Sequence, residues 1–258
     1  MLTQFADPYF LTVTAIAVIL VGLSKGGLGG AMGFVGVPMM ALVMSPVQAA
    51  AILLPILVLM DLVSLWTWRG NYHRPTLVAM LPGALAGIAL GWATAALVTV
   101  AAVRFIVGVV AIVFVARWLY QRVRHGTAHV ASPNRIAAAF WGAVSGFTSF
   151  VAHVGGPPFQ MYALPLRLEQ RIFTGTSVIF FAILNAIKLV PYFALGQFDA
   201  TNLTTSFLLM PLAPLATLAG AWIVRRLNPE AFYAFSYGTV GLIALKLVYD
   251  GVVDFISP

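Results

Sequence analysis

Apolar residues run along this chain in long unbroken stretches, with few polar positions inside them and no alternation of period two. The stretches fall at roughly 9–24, 28–44, 47–68, 76–98 and 102–120, then at roughly 136–152, 156–166, 171–195, 202–225 and 231–250. A helix that crosses a bilayer needs about 17 to 25 apolar residues, and most of these stretches are that long. A spanning β-barrel would alternate instead. The pattern predicts an all-α, polytopic helical membrane protein. It also repeats: a long segment, a short one and three long ones occur twice. Each half breaks its second segment with glycines ahead of a proline (Pro38; Pro157 and Pro158), and each ends its third with an aromatic-then-glycine exit, "WTWRGNYH" and "YFALGQFD". The predicted organisation is a first repeat at 1–120, a basic cytoplasmic linker at 121–135 and a second repeat at 136–258.

Charge fixes how the two copies sit. Counting every segment as a crossing, the odd-numbered connections hold Arg69 and Arg74, then Arg122, Arg124 and Arg135, then Arg167 and Arg171, then Arg225 and Arg226. The other connections and the termini carry Asp7, Asp199, Asp250 and Asp254. Positive charge marks cytoplasmic loops, so both termini are expected outside. An odd number of crossings per half turns the second copy upside down, and the same parity holds if the short segments are re-entrant. Inverted repeats with broken helices are an architecture of secondary transporters, with the substrate between the copies near the midplane.

Two glycine-rich stretches stand where such breaks belong: "GLSKGGLGGAMGFVGVP" (22–38) and "GFTSFVAHVGGPP" (146–158). Broken backbone at membrane depth is tolerated only where it is buried in protein or lines a wet cavity, and an exposed helix N-terminus favours an anion. Ser24, Lys25, Gly26, Gly27, Gly29 and Gly30 in the first stretch, with Ser149, His153, Gly155 and Gly156 in the second, are the candidate anion-binding residues. The bland alternative is that the glycines only let helices pack closely; for Gly83, Gly87 and Gly91 packing is the preferred reading. Charges inside spans are costly and default to function. Asp61 is therefore a candidate coupling carboxylate together with His153, and Lys188, with Asn185 one turn before it, a candidate anion contact. A structural pairing of Asp61 with Lys188 stays open at this point.

Composition narrows the classes further. Of 258 residues 61% are hydrophobic and 8% charged, against about 25% charged in soluble domains, so no soluble domain is expected. Cysteine is absent, which removes disulfides, thiolate catalysis and Cys-based metal sites. The net charge of +7 follows from loop orientation, and no nucleic-acid partner is expected. There is no H-E-x-x-H, G-x-S-x-G or P-loop pattern, and Asp61 is the one acidic residue deep in a span, so neither an enzyme nor an ATPase is expected, and no cofactor.

The glycine breaks, the "RGN" turn after segment three and the "RRLNPEAF" turn before the last segment resemble the TauE/SafE family of sulfite and organosulfur-anion exporters, over the whole chain. Members show G-x-G-G-G-x-x-x-x-P in each half, followed by Thr-Ser in the next helix. Here the first copy is spread over Gly26, Gly27, Gly29, Gly30 and Pro38, with Ala51 and Ile52 where Thr-Ser would stand. The second is reduced to Gly155, Gly156, Pro157 and Pro158, followed by Thr176 and Ser177. The resemblance implies a secondary transporter in the bacterial inner (plasma) membrane, exporting sulfite or an organosulfonate such as sulfoacetate. Its expected partners are a small anionic substrate and the lipid bilayer, with a homodimer left open. A non-transporting membrane partner or chaperone, or an anion channel, is the alternative.

Overall fold

The computed structural model describes residues 7–27, 35–95, 100–125 and 130–256. Every element among them is helical. In order they are α1 (Pro8–Gly27), α2 (Gly36–Met40), α3 (Pro46–Thr67), α4 (Arg74–Ala93), α5 (Val100–His125) and α6 (Arg135–Ala152). The chain continues with α7 (Gly156–Ala163) and a 3₁₀ turn (Leu164–Leu166), then α8 (Gln170–Ala194), α9 (Ala200–Leu209), α10 (Leu212–Arg226) and α11 (Pro229–Ile256). By length and composition five described helices suffice to cross a membrane. The pair α9 and α10, bent by 46° at the Met210–Pro211 break, makes a sixth if it is one span. The chain is an integral helical membrane protein, as the apolar pattern predicts.

Local chemistry sets the boundaries. Ser45 caps α3 by accepting from Gln48 N at 3.2 Å, and Pro46 fills the first helical position, where a missing N–H costs nothing. Asn134 Oδ1 accepts from the amides of Ile136 and Ala137 to start α6, and Asp199 Oδ1 accepts from Asn202 N to start α9. Two departures from the sequence reading stand out. α5 runs on through Gln121–His125, into the stretch expected to be linker, because Gln and Arg propagate a helix well. And α1 runs to Gly27, past the expected end of the first segment near Ser24.

The reason is close packing. A Cβ on Gly26 would meet the α10 backbone at Ala221 N (2.6 Å), and one on Gly27 would meet Val224 Cβ (2.9 Å). On the other side of the molecule, a Cβ on Gly87 would meet α6 at Phe147 N (2.8 Å), and one on Gly91 would meet the Phe150 ring (2.9 Å). Two seams result, α1 on α10 and α4 on α6, and they are among the most extensive pairings in the fold, beside α5 on α11. Exchanging α1, α3, α4 and α5 for α6, α8, α10 and α11 maps these three pairings, and the central α3–α8 contact, onto themselves. Near-contact of backbones gives dispersion energy that lipid cannot replace, so glycine is required at Gly26 and Gly87 on steric grounds.

The basic connections gather at one end. Arg225 Nη2 donates to Thr67 O at 2.8 Å, Gln170 Nε2 to Val224 O at 2.5 Å, and His73 N to Thr176 Oγ1 at 2.8 Å. These bonds bring the C-termini of α3 and α10 to the N-termini of α4 and α8, with Arg69, Arg74, Arg167 and Arg171 in the same loops.

Candidate functional site

α1, α3, α6, α7 and α8 converge on one cavity of about 40 Å³, lined by Lys25, Leu57, Ser149, His153, Gly155, Gly156, Phe181, Asn185 and Lys188. A single water needs roughly 10–15 Å³ of such space, so a few waters or one compact oxyanion fit.

α1 delivers Lys25 from its last turn, where the helix presents carbonyls rather than amides. Those carbonyls are all taken: Lys25 O accepts from Ser64 Oγ (3.1 Å), Gly26 O from Trp68 Nε1 (2.7 Å) and Gly27 O from Thr174 Oγ1 (3.1 Å). A positive side chain suits this end of a helix. Lys25 Nζ donates to Asp61 Oδ1 at 2.5 Å and lies 5.5 Å from the centroid of the Phe181 ring. Asn185 Nδ2 donates to the other carboxylate oxygen, Asp61 Oδ2, at 2.6 Å. Asp61 thus stands behind two lining residues and is itself buried.

Lys188 is a different case. It is 1% exposed, and both hydrogen bonds described for its Nζ go to Ser149, to the carbonyl at 3.2 Å and to Oγ at 3.1 Å. No carboxylate among the described residues lies within ion-pair distance of it. An ammonium has three protons to donate, and a buried charge without a counter-ion is expensive. The Asp61–Lys188 pairing left open in the sequence is therefore not formed; Asp61 is paired with Lys25 instead. With both lysines charged, the cluster carries one positive charge more than its single carboxylate offsets.

The second glycine break sits where the sequence puts it. α6 ends at Ala152, and His153 turns the chain in the left-handed region with φ 55°, uncommon for a residue with a Cβ though less so for His. Thr148 holds the turn: its carbonyl accepts from Val154 N at 3.1 Å and its hydroxyl donates to Val154 O at 3.1 Å. Ser145 Oγ donates to Gly155 O at 2.7 Å. α7 then starts at the cavity. Its Pro157 and Pro158 carry no N–H, so the open amides of this helix start belong to Gly155 and Gly156. His153 Nδ1 lies 3.5 Å from the Tyr192 hydroxyl, while its Nε2 is buried with no hydrogen-bond partner among the described residues.

Of the residues singled out in the sequence, Lys25, Ser149, His153, Gly155, Gly156, Asn185 and Lys188 meet at this cavity. Ser24, Gly26 and Gly27 do not line it: Ser24 is buried, and the two glycines serve the α1–α10 seam with their carbonyls capped, so the idea that they offer amides to an anion does not fit the geometry. Gly29 and Gly30 lie outside the described residues. Sequence reasoning missed Phe181 and Tyr192, although Phe181, Asn185, Lys188 and Tyr192 follow i, i+4, i+7, i+11 spacing on one face of α8. Among the described residues no group of three or more His, Cys, Asp or Glu could hold a metal ion.

The family model described as Sulfite exporter TauE/SafE matches residues 14–247, a range that includes every residue of the cavity. No curated protein and no solved structure matches the chain.

Proposed function

The chain belongs to the TauE/SafE sulfite exporter family, and from that membership we propose that it is a secondary transporter that exports a small anion, sulfite or an organosulfonate such as sulfoacetate, by alternating exposure of the cavity between α3, α6, α7 and α8. The observation that carries this reading is Lys188: a fully buried amine whose hydrogen bonds among the described residues go to Ser149 alone, on a cavity with room for a compact oxyanion. An anion there completes the donor capacity of Lys188 and takes up the excess positive charge. The Gly155 and Gly156 amides at the start of α7 add dipole stabilisation, and His153 Nε2 is placed to bond an anion oxygen.

Lys25 and Asp61 fill a second role. Their pair keeps one lysine neutralised when the site is empty, so the unloaded protein bears one uncompensated charge rather than two. Asp61 is the carboxylate available for coupling. Export needs no ATP: an inside-negative potential favours departure of an anion by about 2.3 kcal/mol per charge per 100 mV.

The purified chain is the place to test the site. Its thermal unfolding is followed with sulfite, sulfate, sulfoacetate, taurine and simple carboxylates, for wild type and Lys188→Gln. A ligand at about 100 times its Kd stabilises the folded state by about 2.7 kcal/mol. Sulfite or a sulfonate is expected to raise the midpoint of the wild type and not that of the variant. An equal rise in both, or none with any anion, removes the cavity as the anion site.

A further inference from the structure

At the end of the molecule where the basic connections gather, the outer faces of α3 and α10 form a second, larger cleft of about 650 Å³, separate from the transport cavity. Three arginines sit on it: Arg69, Arg225 and Arg226. Each guanidinium is held by an aromatic ring. Arg226 lies 3.7 Å from the centroid of Trp222, Arg225 5.1 Å from that of Trp68 and Arg69 5.6 Å from that of Trp66. Arg225 also donates to Thr67 O. None of the three is within ion-pair distance of a carboxylate among the described residues, and no acidic side chain lines the cleft.

The apolar part of its lining is Trp66, Leu218, Ala221 and Trp222, and the same helix faces continue away from the arginines along the spans. Leu62 and Trp66 stand one turn apart on α3, and Leu215, Leu218 and Trp222 follow i, i+3, i+7 on α10; all five are exposed, Trp66 at 66% and Trp222 at 58%. A charged head with an apolar lane beneath it is the shape of a phospholipid. Tryptophan and arginine at a span's end mark the headgroup level, and basic pockets between helices on that side bind anionic headgroups. We infer that the α3–α10 cleft binds one anionic phospholipid, its phosphodiester on Arg69, Arg225 and Arg226 and its acyl chains along Leu62, Trp66, Leu215, Leu218 and Trp222. A free phosphate would use the arginines but leave the lane unfilled. This inference does not depend on what the protein transports.

Native mass spectrometry of the purified full chain reads the site directly, with retention of phosphatidylglycerol compared with phosphatidylcholine at equal doses. Wild type is expected to prefer phosphatidylglycerol. Arg69→Gln/Arg226→Gln, which keeps the bond of Arg225 to α3, is expected to lose roughly thirtyfold of that preference, each arginine contributing about fivefold. Thermal unfolding in phosphatidylcholine alone confirms that the variant is folded. Equal retention of both lipids by wild type overturns the inference, as does an undiminished preference in the folded variant. Inorganic phosphate or soluble glycerophosphoglycerol protecting wild type as well as phosphatidylglycerol does overturns the lipid assignment, since the apolar lane would then contribute nothing.

Discussion

Lys25 and Lys188 show how one residue type takes two roles in one cavity. Lys25 has a carboxylate at 2.5 Å, so removing either partner strands the other. Breaking a buried pair from one side costs about 3–5 kcal/mol, whereas replacing both is far milder. Lys25→Met and Asp61→Asn should each lower the unfolding midpoint, and the double variant should lower it no further than either single, with a coupling energy of at least about 3 kcal/mol in a double-mutant cycle. Strict additivity in denaturation of the four proteins would deny the pair. That Asp61 prefers Lys25 over Lys188 was not legible from the chain. Both lysines were visible as costly intramembrane charges, but the choice depends on how far α1 runs past Gly22 and on the facing of α3 against α8. The composition of the cavity was more accessible, because Ser149, His153, Gly155 and Gly156 all lie at the second break, and Asn185 and Lys188 share a helix face.

At the scale of elements, the glycine-rich stretches divide their labour differently from what their composition suggests. Gly26 and Gly27 remain helical; each helical glycine costs only about 1 kcal/mol relative to Ala, and contact with α10 offsets that. The same trade is made at Gly87 on α6. Gly26→Val and Gly87→Val should each destabilise the protein by at least about 1–3 kcal/mol, the usual range for forcing volume into a packed seam, while Gly70→Ala, at a φ of 79° with nothing within 4 Å, should lose less and only through backbone strain. Thermal midpoints of the three variants give the order; a Gly70 variant as unstable as the seam variants would contradict it. The second stretch does break, at His153, because Pro157 and Pro158 cannot continue α6 and Thr148 and Ser145 take up the freed backbone groups. Apolar run lengths made the long segments readable, and the short one before α8 as well; of the short one in the first half, 28–34 lie outside the described residues and α2 covers Gly36–Met40. Run lengths say nothing of helix–helix partners, so the seam made by Gly26 and Gly27 was not foreseen; the stretch does pass from the end of α1 at Gly27 to the start of α2 at Gly36.

For the whole molecule, the basic connections lie together at one end, which the parity of Arg residues along the chain already indicated, and which side of the membrane that end faces is an expectation from charge. The absence of cysteine makes this simple to test. In intact cells an impermeant maleimide should label Ala200→Cys, on the end carrying Asp199, and should reach Glu230→Cys, on the basic end, only after permeabilisation; the reverse pattern would invert the topology and with it the direction of export. Within that frame the mutual mapping of the α1–α10 and α4–α6 seams leaves α3 and α8 at the centre, where Asn185 and Lys188 meet the α6–α7 break and Asp61 stands behind Asn185. The most direct measurement is sulfite release from proteoliposomes loaded with sulfite, with an inside-negative potential set by a potassium gradient. The wild-type protein is predicted to release sulfite well above the rate of empty liposomes, and Lys188→Gln to release it roughly tenfold more slowly or worse, as loss of a charge-assisted contact requires. Release at the protein-free rate, or a Lys188→Gln protein as fast as wild type, would contradict an anion path through this cavity.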